Sequence, residues 1–525
     1  MRADTSALIA ADIEGYLDTH EHKTLLRFIT CGSVDDGKST LIGRLLYESK
    51  VILEDQLAAL TADSKAFGTQ GGELDLALLV DGLAAEREQG ITIDVAYLFF
   101  STDKRKFIVA DTPGHEQYTR NMATGASTAD VAIILVDARK GVLTQTRRHS
   151  YIVTLLGITK VVLAVNKMDA VGFDKAAFDG IVADYTGFAR QIGMRDVVSI
   201  PLSALKGDNI TGPSENTPWY AGPTLMRHLE SVVIEKDQHE APFRMAVQWV
   251  SRPNQDFRGF AGMIARGVVR PGDRVKVLPS AKESRVTRIV TEEGDLDEAI
   301  AGQSVTLTLE HEIDISRGDL VAGMESPPAV ADTLQATLIW MHEEPMLPGR
   351  PYVMKIGART VTARVTALTH KVNVNTLEHL AATQLELNEI GVCTLGTDRP
   401  IAFDPYVENR ETGGFILIDK ITNDTVGAGL IELALRPADR AVPKPHEACV
   451  VWLTGLSDAG PYVRRVANAS QLMVDAGLIV LVALGKGEAA PSETPKNELR
   501  IDTTTVTAEE AAAQIAAYVQ ATRIA

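Results

Sequence analysis

The chain has few cysteines and no long apolar run. Its three cysteines, Cys31, Cys393 and Cys449, are odd in number and widely spaced, which argues against a disulfide framework or a metal-ligand pair. No run reaches the roughly eighteen apolar residues of a membrane span. Asp12 and Glu14 interrupt the short apolar stretch near the N-terminus, whereas the apolar region of a signal peptide is uninterrupted by charge. We therefore expect a cytoplasmic protein without a membrane partner, and a buried packing role for Cys31.

Positive charge is also scarce. Lys and Arg number 52 against 69 Asp and Glu, a formal net charge of −17. Surfaces that bind nucleic acid need Lys and Arg, so this charge weighs against a nucleic-acid partner. The apolar fraction of 45% is that of a globular protein, and 525 residues predict three or four domains.

Five short segments follow one another in the first two hundred or so residues: 32–39 (GSVDDGKS), 90–93 (GITI), 111–115 (DTPGH), 166–169 (NKMD) and 203–205 (SAL). The first fits the phosphate-binding loop, in which glycines let backbone N–H groups point at phosphates. Lys38 would face the β- and γ-phosphates, and the Ser39 hydroxyl would bind Mg²⁺. These features predict a nucleotide site.

The second and third segments carry residues typical of a metal clamp and a sensor for the terminal phosphate. Thr92 is the candidate second hydroxyl ligand of Mg²⁺, and Asp111 would hold a metal-bound water. The Gly114 N–H would sense the γ-phosphate, and His115 follows where the attacking water would lie. Alone, a histidine is more often a packing or surface residue, but its position beside Gly114 favours a catalytic role.

The last two segments predict which base is bound. The Asp169 carboxylate only accepts hydrogen bonds, so it suits the two donors of guanine, whereas adenine offers an acceptor at N1. Backbone N–H groups near Ser203 and Ala204 could donate to the guanine O6. The sequence therefore predicts GTP binding and hydrolysis. The predicted catalytic residues are Lys38, Gly114 and His115, the predicted metal ligands are Ser39, Thr92 and Asp111, and the predicted GTP-binding residues are Gly32, Ser33, Val34, Asp35, Asp36, Gly37, Lys38, Ser39, Thr40, Asp111, Gly114, Asn166, Lys167, Asp169, Ser203, Ala204 and Leu205.

The pattern of apolar runs changes along the chain and predicts a multi-domain protein. Runs at 25–30, 106–110, 131–136, 161–165 and 198–201 alternate with helical stretches, which predicts an α/β domain with a mostly parallel sheet. After Pro242 the chain has short strands and frequent turns, which suggests barrels. The expected divisions are a helical extension (1–24), a GTP-binding domain (25–238), two β-barrels (241–328 and 329–440) and a small α/β segment (446–525).

With these residues in hand, the chain resembles the translational GTPases around elongation factor Tu. Within that superfamily it is most similar to the GTPase subunits of bacterial sulfate adenylyltransferases, through residues 32–47, 111–126, 137–149 and 252–259. Elongation factors tend to have histidines where Ser33 and Asp36 stand. The resemblance implies GTP and Mg²⁺ as cofactors and a smaller catalytic partner subunit of the ATP-pyrophosphatase type. That partner would form adenosine 5′-phosphosulfate and pyrophosphate from ATP and sulfate, driven by GTP hydrolysis on this chain.

The last eighty or so residues resemble a shortened adenylylsulfate kinase. Residues 450–457 look like the strand that opens such a kinase, but the loop continues as 458–463 (DAGPYV), without the Gly-Lys-Ser or Gly-Lys-Thr of a working enzyme. We therefore expect a catalytically inactive remnant whose strands 450–456 and 478–484 pair. Two alternatives remain open: a translation factor that handles tRNA, and a bifunctional enzyme with an active kinase.

Overall fold

The structure, a computed structural model, describes residues 23–52, 54–67, 74–80, 92, 94–115, 118–234, 240–254, 256–435, 450–456, 480–485 and 498–502. Residues 1–22 of the expected helical extension lie outside the described residues. Residues 90, 91 and 93 and the loop 457–463 also lie outside them. The chain divides into two compact units, 1–434 and 435–525. Each unit is described by itself below.

A six-stranded sheet in the order β2-β3-β1-β4-β5-β6 forms the first domain. All neighbours are parallel except β2, which runs antiparallel to β3 at the edge. Every residue of β4 is buried, as expected for a strand covered on both faces. The strands are β1 (Thr24–Cys31), β2 (Ala96–Ser101), β3 (Arg105–Asp111), β4 (Val131–Asp137), β5 (Lys160–Asn166) and β6 (Asp196–Pro201).

Helices cover both faces of this sheet. They are α1 (Lys38–Glu48), α2 (Glu54–Phe67), α3 (Thr119–Ser127), α4 (Thr144–Leu155), α5 (Lys175–Gln191) and α6 (Leu225–Ser231), with short 3-10 helices at Leu76–Leu79 and Met168–Val171. One apolar core contains Ile29 and Ile134, and the other contains Phe28 and Leu135. None of the helices in the described part of the chain has the length and hydropathy that crossing a bilayer requires.

The next strands close into a β-barrel. A ring of six strands runs β11-β16-β7-β9-β15-β12 and closes by pairing of β11 with β12. Residues 244–251 form two short strands, β7 and β8, both paired with β9. The strands are β7 (Arg244–Ala246), β8 (Trp249–Ser251), β9 (Gly259–Arg266), β10 (Val268–Val269), β11 (Arg274–Leu278), β12 (Lys282–Thr291), β13 (Gly294–Leu296), β14 (Ala299–Ile300), β15 (Ser304–Leu309) and β16 (Leu320–Gly323).

A second ring of six strands runs β18-β22-β23-β17-β21-β19 and closes by pairing of β18 with β19. Its interior is filled by large side chains such as Trp340 and Tyr352. The elements are β17 (Ala329–Trp340), β18 (Pro351–Ile356), β19 (Arg359–Val372), β20 (His379–Leu380), β21 (Ile390–Phe403), α7 (Arg410–Gly413), β22 (Gly414–Asp419) and β23 (Thr425–Ala434). The prediction of an α/β domain followed by two barrels is confirmed.

Buried polar contacts join these domains. Arg244 of the first barrel forms a salt bridge with Asp404 of the second at 3.0 Å, and both side chains are almost fully buried. The Tyr406 hydroxyl donates to the Leu156 carbonyl at 3.3 Å, and Arg410 donates to the Ala129 carbonyl at 3.3 Å. A buried pair that lost one partner would leave an uncompensated charge, so Arg244 and Asp404 strongly favour one arrangement of the barrels.

In the second unit, three parallel strands form a sheet in the order β25-β24-β26. They are β24 (Val450–Leu456), β25 (Val480–Gly485) and β26 (Glu498–Asp502). The predicted pairing of the strands near 450–456 and 478–484 is therefore confirmed, with Val450 opposite Val480.

Candidate nucleotide site

A cavity of about 610 Å³ opens at the carboxyl ends of the parallel strands. The described residues that line it come from the loops after β1, β3, β4, β5 and β6, from the start of α1, and from the segment between α2 and β2. They are Val34, Asp35, Gly37, Lys38, Ser39, Thr40, Asp75, Ala77, Thr92, Gly114, Arg139, Lys140, Asn166, Lys167, Asp169, Ala170, Ser203, Ala204 and Leu205. Residues from all five sequence segments are thus brought to one place.

Some predicted residues do not line this cavity. Gly32, Ser33, Asp36 and Asp111 are buried next to it, whereas His115 is exposed. The His115 ring lies 6.1 Å from the Tyr118 ring, between centroids. A catalytic role for His115 therefore stays a prediction.

The phosphate loop curls tightly around Lys38. Gly37, with φ of +93°, precedes helix α1, and a Cβ there would lie 2.4 Å from the Asn166 amide nitrogen. The Lys38 Nζ donates to the carbonyls of Gly32 at 3.2 Å and Ser33 at 2.9 Å. Burial lowers the pKa of Lys38, against the opposing pull of Asp111 and Asp36. The loop thus points a buried cation into the site.

Oxygen donors of the kind that Mg²⁺ prefers meet at the start of α1. The Ser39 hydroxyl donates to Asp111 Oδ2 at 3.3 Å, and the Thr30 hydroxyl donates to Asp111 Oδ1 at 3.3 Å. Thr92 lines the same cavity. Hydroxyl and carboxylate oxygens suit Mg²⁺, which completes its octahedron with phosphate and water oxygens, so these residues fit the metal.

Gly114 lies directly against the phosphate loop. A Cβ at this position would come within 2.4 Å of the Lys38 Nζ and 2.8 Å of the Val34 nitrogen, so no side chain fits. The Gly114 carbonyl accepts a hydrogen bond from the Gln145 amide at 3.4 Å. The segment after β3 can therefore approach a nucleotide through its backbone.

Asn166 links three loops of the site. Its amide nitrogen donates to the Asp36 carbonyl at 2.8 Å, and its side-chain oxygen accepts from the Ala204 N–H at 2.9 Å. Lys167 also reaches the phosphate loop, where its Nζ donates to the Asp35 carbonyl. These contacts hold the loops after β5 and β6 against the loop after β1.

Asp169 carries a buried acceptor that no described residue uses. Its Oδ1 has no hydrogen-bond partner among the described residues, although the atom is shielded from solvent. A buried unpaired carboxylate oxygen costs free energy, which a ligand with two N–H donors would recover.

Two cationic residues at the cavity were missed as site residues in the sequence. Arg139 and Lys140 follow β4 and line the cavity. The Arg139 guanidinium holds both oxygens of Asp137, at 3.0 Å and 2.6 Å, and Lys167 lies 3.2 Å from the same carboxylate. Burial raises the pKa of Asp137, but the bonds from Arg139 and the charge of Lys167 outweigh this and lower it overall. Both residues lie in the segment 137–149, which carries part of the resemblance, but they were not predicted to bind the nucleotide.

A further buried residue, His149 of α4, is hydrogen-bonded to the backbone of the phosphate loop. Its Nδ1 accepts the Gly32 N–H at 3.2 Å. Burial, with the nearby charges of Lys38 and Arg148, lowers the pKa of His149 to about 3. The imidazole is therefore neutral at physiological pH, with its proton on Nε2.

Comparisons with known proteins agree with this architecture. The family model described as the elongation factor Tu GTP binding domain matches residues 23–247. The models of elongation factor Tu domain 2 and of the GTP-eEF1A C-terminal domain match residues 261–322 and 333–432.

Three curated relatives extend over most of the chain. Sulfate adenylyltransferase subunit 1 of Laribacter hongkongensis is 60% identical over 88% of this chain and 95% of its own length. The bifunctional enzyme NodQ of a Rhizobium species is 53% identical over 90% of this chain and 82% of its own length. The bifunctional enzyme CysN/CysC of Xylella fastidiosa is 52% identical over 89% of this chain and 84% of its own length. The chain therefore belongs to the sulfate adenylyltransferase subunit 1 family of elongation factor Tu-like GTPases.

Proposed function

We propose that this chain is the GTP-hydrolysing subunit of a sulfate adenylyltransferase. The 60% identity to a subunit 1 over nearly all of that protein carries this proposal. The chain converts GTP and water to GDP and phosphate. A smaller catalytic subunit of the ATP-pyrophosphatase type transfers the adenylyl group of ATP to sulfate, and GTP hydrolysis drives that unfavourable step. The site of action is the cytoplasm, without a nucleic-acid or membrane partner.

Asp169 selects guanine in this proposal. The unpaired Oδ1 and its companion oxygen accept the N1 and N2 protons of the base, while Asn166 and the Ala204 backbone define the surrounding wall. ATP would place an acceptor against the carboxylate and would leave it unpaired. The sequence prediction of Ser203, Ala204 and Leu205 as part of the base pocket is supported by their place in the cavity lining.

The phosphate end uses Lys38 and the residues suited to Mg²⁺. Lys38 lies where it can neutralise the β- and γ-phosphates, and Ser39, Thr92 and Asp111 would hold the ion directly or through water. A bound Mg²⁺ would supply charge neutralisation at the phosphate oxygens. The Gly114 N–H would detect the γ-phosphate, so the loops before β2 and after β3 order with GTP and relax after hydrolysis.

His115 positions the attacking water once the loop after β3 closes. His115 is exposed and is not among the residues that line the cavity, so this role includes a movement of that loop toward the phosphates. The variant His115→Ala should lower GTP turnover about tenfold, with little change in GTP affinity, because water positioning acts mainly in the transition state. Turnover at the parental rate would assign His115 to packing.

The domain division 25–238, 241–328 and 329–440 is part of the proposal. The gap between two family matches at 322–333 supports the boundary after residue 328, and strand β7, which begins at Arg244, supports the start of the first barrel near 241. The match to the GTP binding domain extends past that start, to residue 247. We also propose that the segment 446–525 lacks adenylylsulfate kinase activity, since its loop at 457–463 has no lysine to bind phosphate. The relatives named bifunctional favour the opposite reading, and an assay for phosphorylation of adenosine 5′-phosphosulfate by the chain decides between them.

The proposal is tested by GTP hydrolysis measured with and without a sulfate adenylyltransferase subunit 2 from a related organism. The chain alone should hydrolyse GTP slowly and make no adenosine 5′-phosphosulfate from ATP and sulfate. Hydrolysis should rise when subunit 2, ATP and sulfate are all present. Product formation by the chain alone, or equal binding of ATP and GTP, would overturn the proposal.

A further inference from the structure

A carboxylate lies buried beneath the phosphate loop. The Asp36 side chain is 1% exposed, and its Oδ2 accepts the Ser33 N–H at 2.6 Å. Its Oδ1 has no hydrogen-bond partner among the described residues, although the atom is shielded from water. Asp36 is thus a buried carboxyl group with one oxygen hydrogen-bonded and the other not, within a loop that is predicted to bind phosphates.

Asp36 belongs to a set of contacts that fix the first two peptide groups of the loop. The N–H of Gly32 is held by His149, and the N–H of Ser33 is held by Asp36. The carbonyls of the same two residues accept from Lys38. These hydrogen bonds therefore fix both the N–H and the carbonyl groups of Gly32 and Ser33, and no phosphate is needed to hold this conformation.

The charge of Asp36 opposes the ligand. Burial raises the pKa of Asp36 to about 6, and the nearby Lys38 and the Ser33 N–H limit that rise. The carboxyl group is therefore mostly ionised at pH 7.5. Because it shares the surroundings of Lys38, its negative charge cancels part of the positive potential that Lys38 presents to phosphates.

We propose that Asp36 is a positioning residue that shapes the phosphate loop through the Ser33 N–H while its charge weakens the hold on phosphates and speeds nucleotide release. This inference rests on the proposed GTP function and adds regulation of the same site. The shape of the loop depends on the hydrogen-bond acceptor of Asp36, and the weaker hold on phosphates depends on its charge, so the two effects can be separated. A loop that binds phosphates less tightly releases GDP faster after each round of hydrolysis.

The variant Asp36→Asn separates the two effects, since an amide keeps an acceptor for the Ser33 N–H but carries no charge. We expect GTP and GDP to bind about tenfold more tightly to this variant and GDP to leave correspondingly more slowly, as expected for removal of one buried like charge. Guanosine, which has no phosphate, should bind with unchanged affinity. Equilibrium titration and stopped-flow release with fluorescent guanine nucleotides measure these quantities.

Two further variants control the experiment. Asp36→Ala removes the charge and the hydrogen bond together, so it should bind GTP less tightly than Asp36→Asn. Asp297→Asn makes the same charge change at an exposed site in the first barrel and should leave nucleotide affinity unaltered. Thermal unfolding of each variant shows that the fold is retained.

The outcomes separate this inference from the proposed function. Unchanged or weaker GTP binding by folded Asp36→Asn, or an equal gain for guanosine, would overturn the role of the charge. Equal GTP affinity of the Ala and Asn variants would overturn the role of the hydrogen bond. Failure of the parent chain to bind any guanine nucleotide would instead overturn the proposed GTP function.

Discussion

The molecule contains two strands that hold the same place in their sheets yet lead into different loops. Strand β1 lies between β3 and β4 in its parallel sheet, and β24 lies between β25 and β26 in the other. After β1 the chain reads GSVDDGKS, whereas after β24 residues 457–463 read SDAGPYV. A central parallel strand is therefore not enough to make a phosphate site. The residues of the loop that follows it decide the function.

The physical difference lies in charge and in backbone donors. In the first loop, Lys38 is buried and bonded to loop carbonyls, and Gly37 adopts a left-handed conformation that precedes a helix. In the second loop, no lysine or arginine occurs in residues 457–463, and Pro461 has no N–H to offer a phosphate. The first loop has what a polyanion needs and the second does not.

The largest effect should come from removal of the one cation that separates the two loops. We expect Lys38→Ala to weaken GTP binding by more than about 100-fold, because a charge-assisted contact in a buried site is worth about 3 kcal/mol. Calorimetric titration of the full chain measures this. Lys175→Ala, which removes an exposed lysine paired with Asp179, serves as the control. If the Lys38→Ala variant still bound a nucleotide tightly, a second site outside the first domain would be indicated. The contrast drawn between the two loops would then be wrong.

A smaller effect is expected from a change of base reader in the first domain. Asp169→Asn should weaken GTP binding about 30-fold, the loss of about 2 kcal/mol from a paired hydrogen bond to a charged group. The same variant should favour xanthosine triphosphate, whose 2-oxo group accepts from the new amide. Competition between the two nucleotides measures the switch. An unaltered preference for GTP would mean that the base lies elsewhere.

The pH dependence of GTP affinity tests the effect of the Asp36 charge in the first loop. Asp36 faces Lys38, Asp137, Lys140 and the Ser33 N–H, and its pKa is raised to about 6. Above this pKa its charge opposes phosphate, and below it the neutral acid does not. The affinity gain of Asp36→Asn over the parent chain should therefore be present at pH 8 and fade as the pH falls below 6. Comparison of the two proteins at each pH cancels the protonation of GTP itself, and a gain that persists at pH 5 would contradict this account.

The smallest effect is expected from removal of the second loop and its sheet. Deletion of residues 447–525 should leave GTP affinity and turnover within about twofold of the parent chain, since the described residues that line the cavity belong to the first unit. Phosphate release and nucleotide titration measure both quantities. A large loss of GTP affinity in a folded deletion variant would show that the segment supports the nucleotide site.

Much of this organisation could be predicted from the sequence, because the informative signals are local. The runs that became β1, β3, β4, β5 and β6 were all recognised within two residues at either end. Edge strand β2 was missed, since its sequence lies close to the GITI segment and alternates exposed with partly buried residues. The loop residues of the site were recognised because four of the five motifs follow β1, β3, β5 and β6, and parallel strands bring their carboxyl ends together. The GITI segment instead precedes β2 and was recognised by its order among the other motifs.

The remaining site features depend on contacts between distant parts of the chain. His149 lies 117 positions from Gly32, so its hydrogen bond to the phosphate loop could not be inferred from spacing. Arg139 and Lys140 reach the cavity because Asp137 anchors the turn after β4. The burial of Asp36 likewise depends on the packing of the whole loop on the sheet. Such features need the three-dimensional structure.

The central claim is that GTP hydrolysis on this chain drives formation of adenosine 5′-phosphosulfate by a partner. The most direct measurement is the amount of that product that accumulates in a reconstituted complex with subunit 2, ATP and sulfate. We compare GTP, a GTP analogue that resists hydrolysis, and no guanine nucleotide. The account predicts a yield with GTP that exceeds the equilibrium set by ATP and sulfate alone, and no such excess with the analogue. An equal yield with GTP and with the analogue would contradict it.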